Sequence, residues 1–294
     1  MIKQTKNLSY FKHILSLLLF GLNGIIASYI SLTSYEIVFL RTLMGSLFLI
    51  AIFILTGNKL SVGNNKLHLI YLVISGIAMG ISWMFLYEAY QQIGVSIATL
   101  VYYSGPVIVM VLSPILFKER FTIYKIAGFL VVLCGIVFIN IQAVSDGKTT
   151  WGLFCGLMSA ITYSIMVIFN KKAKSITGLK NSTLQLTISF LTVGVFIGIR
   201  QGFIIHITQD DWIPILILGI LNTGIGCYLY FSSIGDLPVQ SVAILGYLEP
   251  LLAVGFSVLL LKEILQPIQI LGAVLVISGA IFAEYYTLRK NRSK

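Results

Sequence analysis

An acid sits inside an apolar run at Glu249, directly before Pro250, in the stretch SVAILGYLEPLLAVGF. An acid at the centre of a membrane helix costs on the order of 2.5–3.5 kcal/mol on insertion scales. Such residues usually face a cavity and often bind a cation or a proton. Arg41 is the second charge of this kind, lying early in another apolar run. It can snorkel outward, pair with an acid or bind an anion, and snorkelling or structural pairing is the plainer expectation. Met79, Trp83 and Tyr87 recur at i, i+4, as do Asn222, Gly226 and Tyr230. Tyr163 and Asn170 lie seven apart, and so do Ser16 and Asn23. Aromatic walls with a few amides suit an amphipathic organic solute, although ordinary helix packing produces the same spacing.

Other chemistries lack their residues. Cys134, Cys155 and Cys227 each lie inside an apolar run and form no C-x-x-C pair, so neither a disulfide framework nor a metal site is expected. His13, His68 and His206 are far apart and near run ends, which reads as interfacial or loop placement. No G-x-x-x-x-G-K-[ST] loop is present, which excludes ATP hydrolysis of that kind within the chain. No catalytic residues and no cofactor are expected.

The elements that position these residues follow from composition. Hydrophobic residues make up 57% and charged residues 10% of 294. A soluble domain carries roughly 45–50% apolar and about 25% charged residues. The excess apolar surface must face lipid. The net charge of +10 could suggest nucleic acid, but the charges cluster in short gaps between apolar runs, so no nucleic-acid partner is expected.

Ten runs long enough to span a bilayer are predicted, at 10–29, 36–56, 67–88, 95–117, 122–141, 151–170, 182–200, 212–233, 239–261 and 266–286. Backbone polar groups find no water partner in lipid, so these runs must be helices. The basic N-terminal stretch reads as the start of an uncleaved first span. With the N-terminus in the cytoplasm, sixteen of the 20 basic residues fall on the cytoplasmic side. Lys148, Arg200 and Lys262 fall outside, and Arg41 within a span. Both termini are therefore expected in the cytoplasm, with the chain in the cytoplasmic membrane. Glu36 and Glu88 sit near the outer surface as solvated acids.

The chain also repeats itself. An ungapped shift of 144 aligns VYYSGPVIVMVLSPILFKER with LGYLEPLLAVGFSVLLLKEI. Tyr103 then matches Tyr247, Pro106 matches Pro250, Lys118-Glu119 matches Lys262-Glu263, Gly128 matches Gly272 and Gly135 matches Gly279. Residues 1–145 and 146–294 are expected as two five-span repeats. An odd span number makes the second half enter from the opposite side, as in many secondary transporters. On regular helices Tyr102 shares the Glu249-type face, while Tyr103 and Tyr247 point elsewhere and pack between helices. The Lys-Glu steps read as end anchors, and Pro106 and Pro250 as kinks that shape a cavity.

Pro106 with Glu119, Glu249-Pro250 with Glu263, the four glycines and Arg41 together resemble the drug/metabolite transporter superfamily with EamA-type repeats. The resemblance covers nearly the whole chain. It implies a cavity lined by spans one, three, four, six, eight and nine, but names no cargo.

The reading is an all-α integral membrane protein of ten transmembrane helices in two inverted five-helix repeats. Its function is expected to be secondary transport, as an exporter of a small organic metabolite such as an amino acid. The mechanism is alternating access, with proton coupling through Glu249 as an option. The alternative is a polytopic membrane protein without transport, a receptor or an intramembrane enzyme. Expected substrate contacts are Asn23, Trp83, Tyr87, Tyr102, Tyr163, Asn222, Tyr230 and Glu249, with coupling or charge pairing at Glu249 and Arg41. The partners are the solute and the bilayer, with monomer or homodimer left open.

Overall fold

The computed structural model describes residues 2–58, 66–93, 98, 101–118, 122–140, 150–200, 202–261 and 267–292. Expectations placed on Lys59, Glu119, Arg120, Lys148, Lys262, Glu263 and Lys294 lie outside these residues.

Ten apolar helical segments follow in chain order. Span 1 runs Ile2–Gly21 and Asn23–Ala27, span 2 Ser34–Leu55, span 3 Lys66–Ile93. Span 4 contains Ser104–Phe117, span 5 is Ile123–Asn140, span 6 Thr150–Lys172 and span 7 Gly178–Arg200. Span 8 runs Trp212–Leu216, Ile217–Ile225 and Gly226–Ile234. Span 9 is Val239–Gly246 and Leu248–Leu261, and span 10 is Pro267–Arg292. Among the described residues six segments are long and apolar enough to cross a membrane, and four more are shorter apolar helices.

Local chemistry explains the ends and the interruptions. Span 2 opens on a capping box, in which Thr33 and Glu36 satisfy each other's backbone amides. Glu36 is thus a helix cap rather than only a solvated acid. Span 4 closes on Lys118 in the left-handed conformation (φ 56°), its amide bonded to the Pro114 carbonyl at 3.1 Å. Spans 4 and 9 each break at a tyrosine, Tyr103 and Tyr247. In both the break lies three residues before a proline. Pro106 and Pro250 cannot donate to the carbonyl four residues back, so each is accommodated in the first turn of a new helix. Spans 1 and 8 are interrupted too, at Leu22 and by the π-helical stretch Ile217–Ile225.

The packing follows the repeat. Spans 5 and 10, 2 and 7, and 4 and 9 pack as repeat-related partners. Span 3 lies on span 6, and the shift turns that pair into span 8 on span 1, which also pack. Spans 5 and 10 bring their backbones close together. A Cβ on Gly135 would stand 2.6 Å from the Gly272 carbonyl oxygen, and one on Gly279 2.7 Å from that of Gly128. Each contact is the image of the other under the 144-residue shift. Only small residues let two backbones meet so closely.

Two sequence expectations change here. His13 is fully buried, with Nδ1 3.3 Å from Ser233 Oγ, because span 1 turns that face onto span 8. Glu88 is buried as well. Its carboxylate accepts from the Tyr35 hydroxyl, from Gln92 Nε2 at 3.1 Å and from Trp151 Nε1 at 3.3 Å. Three donors replace the water that a surface acid would use.

Candidate functional site

Seven of the ten spans meet at one cavity of about 120 Å³. Its wall carries Asn23 from span 1, Arg41 from span 2, Trp83 and Tyr87 from span 3, and Tyr102 from span 4. Tyr163 of span 6, Tyr230 of span 8 and Glu249 of span 9 continue the polar lining, with Tyr90 and Tyr103 beside them. Spans 1, 3, 4, 6, 8 and 9 thus meet here, together with Arg41 of span 2, which the family resemblance alone would not place on the wall.

Glu249 lies in the first turn of the half-helix Leu248–Leu261. The break at Tyr247 therefore puts the carboxylate at a helix N-terminus, where free amides and the helix dipole favour an anion. Tyr103 is on the cavity wall, contrary to the expectation that it packs between helices. A regular helix would turn it away; the chain breaks at that residue, so helical angles do not carry across it. Tyr247 does pack internally, with its hydroxyl donating to the Tyr103 carbonyl at 2.8 Å.

Arg41 does not snorkel. It is buried, with Nε donating to Thr223 Oγ1 at 2.9 Å and Nη1 to Tyr87 Oη at 2.8 Å. Its guanidinium lies 4.5 Å from the Trp83 ring centroid, a cation–π arrangement that fixes the plane. Nη2 is buried without a hydrogen-bond partner among the described residues. The π-helical stretch contributes directly. Thr223 donates its own hydroxyl proton to the Leu218 carbonyl five residues back, at 2.7 Å, which leaves Oγ1 free to accept from Arg41.

That same stretch moves Asn222 off the site. Asn222 is fully buried and is not on the cavity wall. Its Nδ2 donates to the Leu19 carbonyl at 2.8 Å and to Asn23 Oδ1 at 3.1 Å. The i, i+4 alignment of Asn222 with Tyr230 assumed an α-helix, and the wider winding rotates it toward the break in span 1. It braces Asn23, which does line the cavity.

The aromatic wall is continuous. Tyr102 meets Tyr163 edge-on at 5.3 Å, and Tyr163 and Tyr230 pair their hydroxyls at 3.3 Å. Among the described residues no cluster of three or more His, Cys, Asp or Glu is placed to hold a metal.

A model described as the EamA-like transporter family matches residues 7–141 and 150–285. An uncharacterized transporter of Bacillus subtilis is 24% identical over 277 residues, covering 93% of this chain and 88% of its own. A probable amino-acid metabolite efflux pump of Salmonella typhimurium is 23% identical over 210 residues, 67% of this chain and 69% of that one. An aromatic amino acid exporter of Ancylobacter novellus is 25% identical over 126 residues, 43% of each chain. One solved crystal structure superposes with a TM-score of 0.78 at 19% identity, covering 95% of this chain and 97% of the other, a likeness of fold.

Proposed function

This chain belongs to the EamA-like transporter family, and from that premise we propose that it exports amino acids or closely related zwitterions by alternating access. It is a multi-pass membrane transporter and not an enzyme. The observation that carries the substrate reading is one cavity holding two opposite charges. Arg41 offers Nη2 to a carboxylate, and Glu249 offers a carboxylate to an ammonium. Tyr102, Tyr163, Tyr230 and Trp83 supply apolar faces with polar edges for a bulky or aromatic side chain. The names of two relatives, an amino-acid metabolite efflux pump and an aromatic amino acid exporter, point the same way.

Alternating access needs two states of similar energy, and inverted halves provide them. Glu249 also serves proton coupling. A carboxyl that binds an ammonium in one state can carry a proton in the other, and the two cargoes then exchange. The termini and the loop after span 6 lie in the cytoplasm in this reading, on the strength of the basic residues there. Residues 1–145 and 146–294 are its two repeats.

Counterflow in proteoliposomes tests the substrate. Aromatic and large neutral amino acids should exchange, and analogues blocked at the carboxyl or the amine should not. Equal exchange of the blocked analogues would rule the zwitterion site out. A cysteine replacing exposed Lys174 should react with an impermeant thiol reagent only from the cytoplasmic side. Ile176 in the same loop is unsuitable, because it is buried against Leu72 and Ala173.

A further inference from the structure

The 144-residue shift places two joints opposite each other. One is formed by the end of span 6 and the turn from span 8 to span 9, around Ile168, Lys171 and residues 234–237. Its image is formed by the end of span 1 and the end of span 3, around Gly24, Ala27 and residues 90–93. The two joints differ in closure. Gly24 lines the cavity, is exposed, and an added Cβ there would meet nothing within 4 Å. Its counterpart Ile168 is buried, and Ile234, the counterpart of cavity-lining Tyr90, is fully buried. The cavity therefore reaches open space at the span 1 joint and is shut at the span 6 joint.

Lys171 closes the shut joint. Its ammonium donates to the Ile234 carbonyl at 2.7 Å, the Gly235 carbonyl at 2.8 Å and the Leu237 carbonyl. These are carbonyls at a helix C-terminus and in the following turn, the end of the dipole that attracts a cation. At the open joint the equivalent residue is Ala27, whose side chain has no donor. Neither Lys171 nor Ala27 is on the cavity wall.

We infer that Lys171 is a latch that holds the cytoplasmic joint shut, and that Ala27 leaves the outer joint without one. The inference rests on the transporter reading above, with Lys171 on the cytoplasmic face. Inward opening then requires the ammonium to leave its carbonyls, while outward opening breaks no equivalent bonds. The chain rests open to the outside, and a cytoplasmic substrate gains access only in the fraction of time the latch is released. The same geometry makes a reciprocal statement. A lysine at position 27 would reach the carbonyls of Tyr90, Gln91 and Ile93 when the outer joint closes, and so would favour the inward-open state.

Accessibility of Cys227, a cavity residue, reads this equilibrium without any transport assay. The background carries Cys134→Ser and Cys155→Ala, which leaves Cys227 as the one thiol. Full-length protein is reconstituted and treated from either face with a small membrane-impermeant methanethiosulfonate. In Lys171→Ala the ratio of inside to outside labelling should rise about tenfold, the size of one charge-assisted hydrogen bond. Ala27→Lys should move it the same way, and Lys171→Arg should stay near the parent. Monodispersity in detergent shows that each variant is folded. Either Lys171→Ala or Ala27→Lys, folded and with the parent's ratio, overturns the latch. Failure of the zwitterion reading shows instead in counterflow, with the labelling ratios still shifted.

Discussion

Arg41 and Gln185 occupy the same position in the two halves, yet they are put to different uses. Arg41 is held by Thr223, Tyr87 and the Trp83 ring and lines the cavity, with one nitrogen unengaged among the described residues. Gln185 donates to Ser75 Oγ at 2.9 Å and accepts from Asn170 Nδ2 at 3.2 Å, which itself exchanges bonds with Asn181. The second half uses its polar residue to knit spans 3, 6 and 7 together. The acid is distributed the other way. Glu249 has Gly105 as its image, and a Cβ on Gly105 would stand 2.8 Å from Tyr163 Cδ1 and 2.9 Å from the Ala160 carbonyl. Span 4 is pressed onto span 6 there, with Ser164 Oγ donating to the Gly105 carbonyl at 3.0 Å. Where one half packs, the other leaves room for a charge. The scaffold is duplicated and the charges on the cavity wall are not.

Substitutions at the shared axis should have the largest effect and should hit both halves alike. Gly135→Val and Gly279→Val each drive a side chain into a carbonyl of the partner span. Overpacking costs about 1–3 kcal/mol or more, and a backbone obstacle cannot move aside. Both variants should lose most of their monodisperse protein in fluorescence-detected gel filtration. A large difference between them would break the two-fold comparison. Next come the site charges. Arg41→Gln installs the residue of the second half and should weaken uptake of carboxylate-bearing solutes about 10–100-fold, one charge-assisted bond. Glu249→Gln should keep solute exchange measurable but abolish accumulation driven by a pH gradient. An unchanged pH profile in proteoliposomes would remove coupling from the site.

A smaller contrast tests the packing argument. Gly105→Ala should destabilise by about 1–2 kcal/mol, as an overpacked contact does. Gly246→Ala, whose added Cβ meets only Tyr163 Oη at 3.9 Å, should melt close to the parent. The smallest effect concerns the loops. Asp211 is held below the ordinary carboxylate range, first by the Thr208 hydroxyl and then by the Ser31 amide. Such a group stabilises the fold above its unfolded value, and the contribution is lost as pH falls through the lower folded value. Acidification should therefore lower the melting temperature of the parent more than that of Asp211→Asn.

Much of the fold was legible because its causes are local in sequence. A bilayer demands about 20 apolar residues per span, and among the described residues six segments meet that length while four are shorter apolar helices. The repeat was legible through Pro106 with Pro250 and through the four glycines, whose contacts across spans 5 and 10 obey the same shift. Seven of the eight expected contact residues, with Arg41, share the cavity wall. The rest depends on neighbours distant in sequence. Winding at 217–225 is tied to Asn222 bracing Leu19 and to Thr223 serving Arg41, so regular i, i+4 spacing does not predict the face that Asn222 takes. Burial of Glu88 needs Tyr35 and Trp151 to converge on it from two other spans. Tyr103 could have been found, since Pro106 three residues on already implied a break there.

The two tyrosines at the paired breaks carry one more consequence. The Tyr247 hydroxyl is given to the Tyr103 carbonyl, whereas Tyr103 itself lines the cavity together with Glu249. A perfect two-fold would have each hydroxyl serve the other's carbonyl. Exchanging the roles of the halves therefore changes the hydrogen-bond inventory at the axis. Filling Glu249, with a proton or with a cargo amine, changes the charge beside one of the two breaks and not the other. Occupancy of the cavity thus alters the energy difference between the halves as well as the contents of the site.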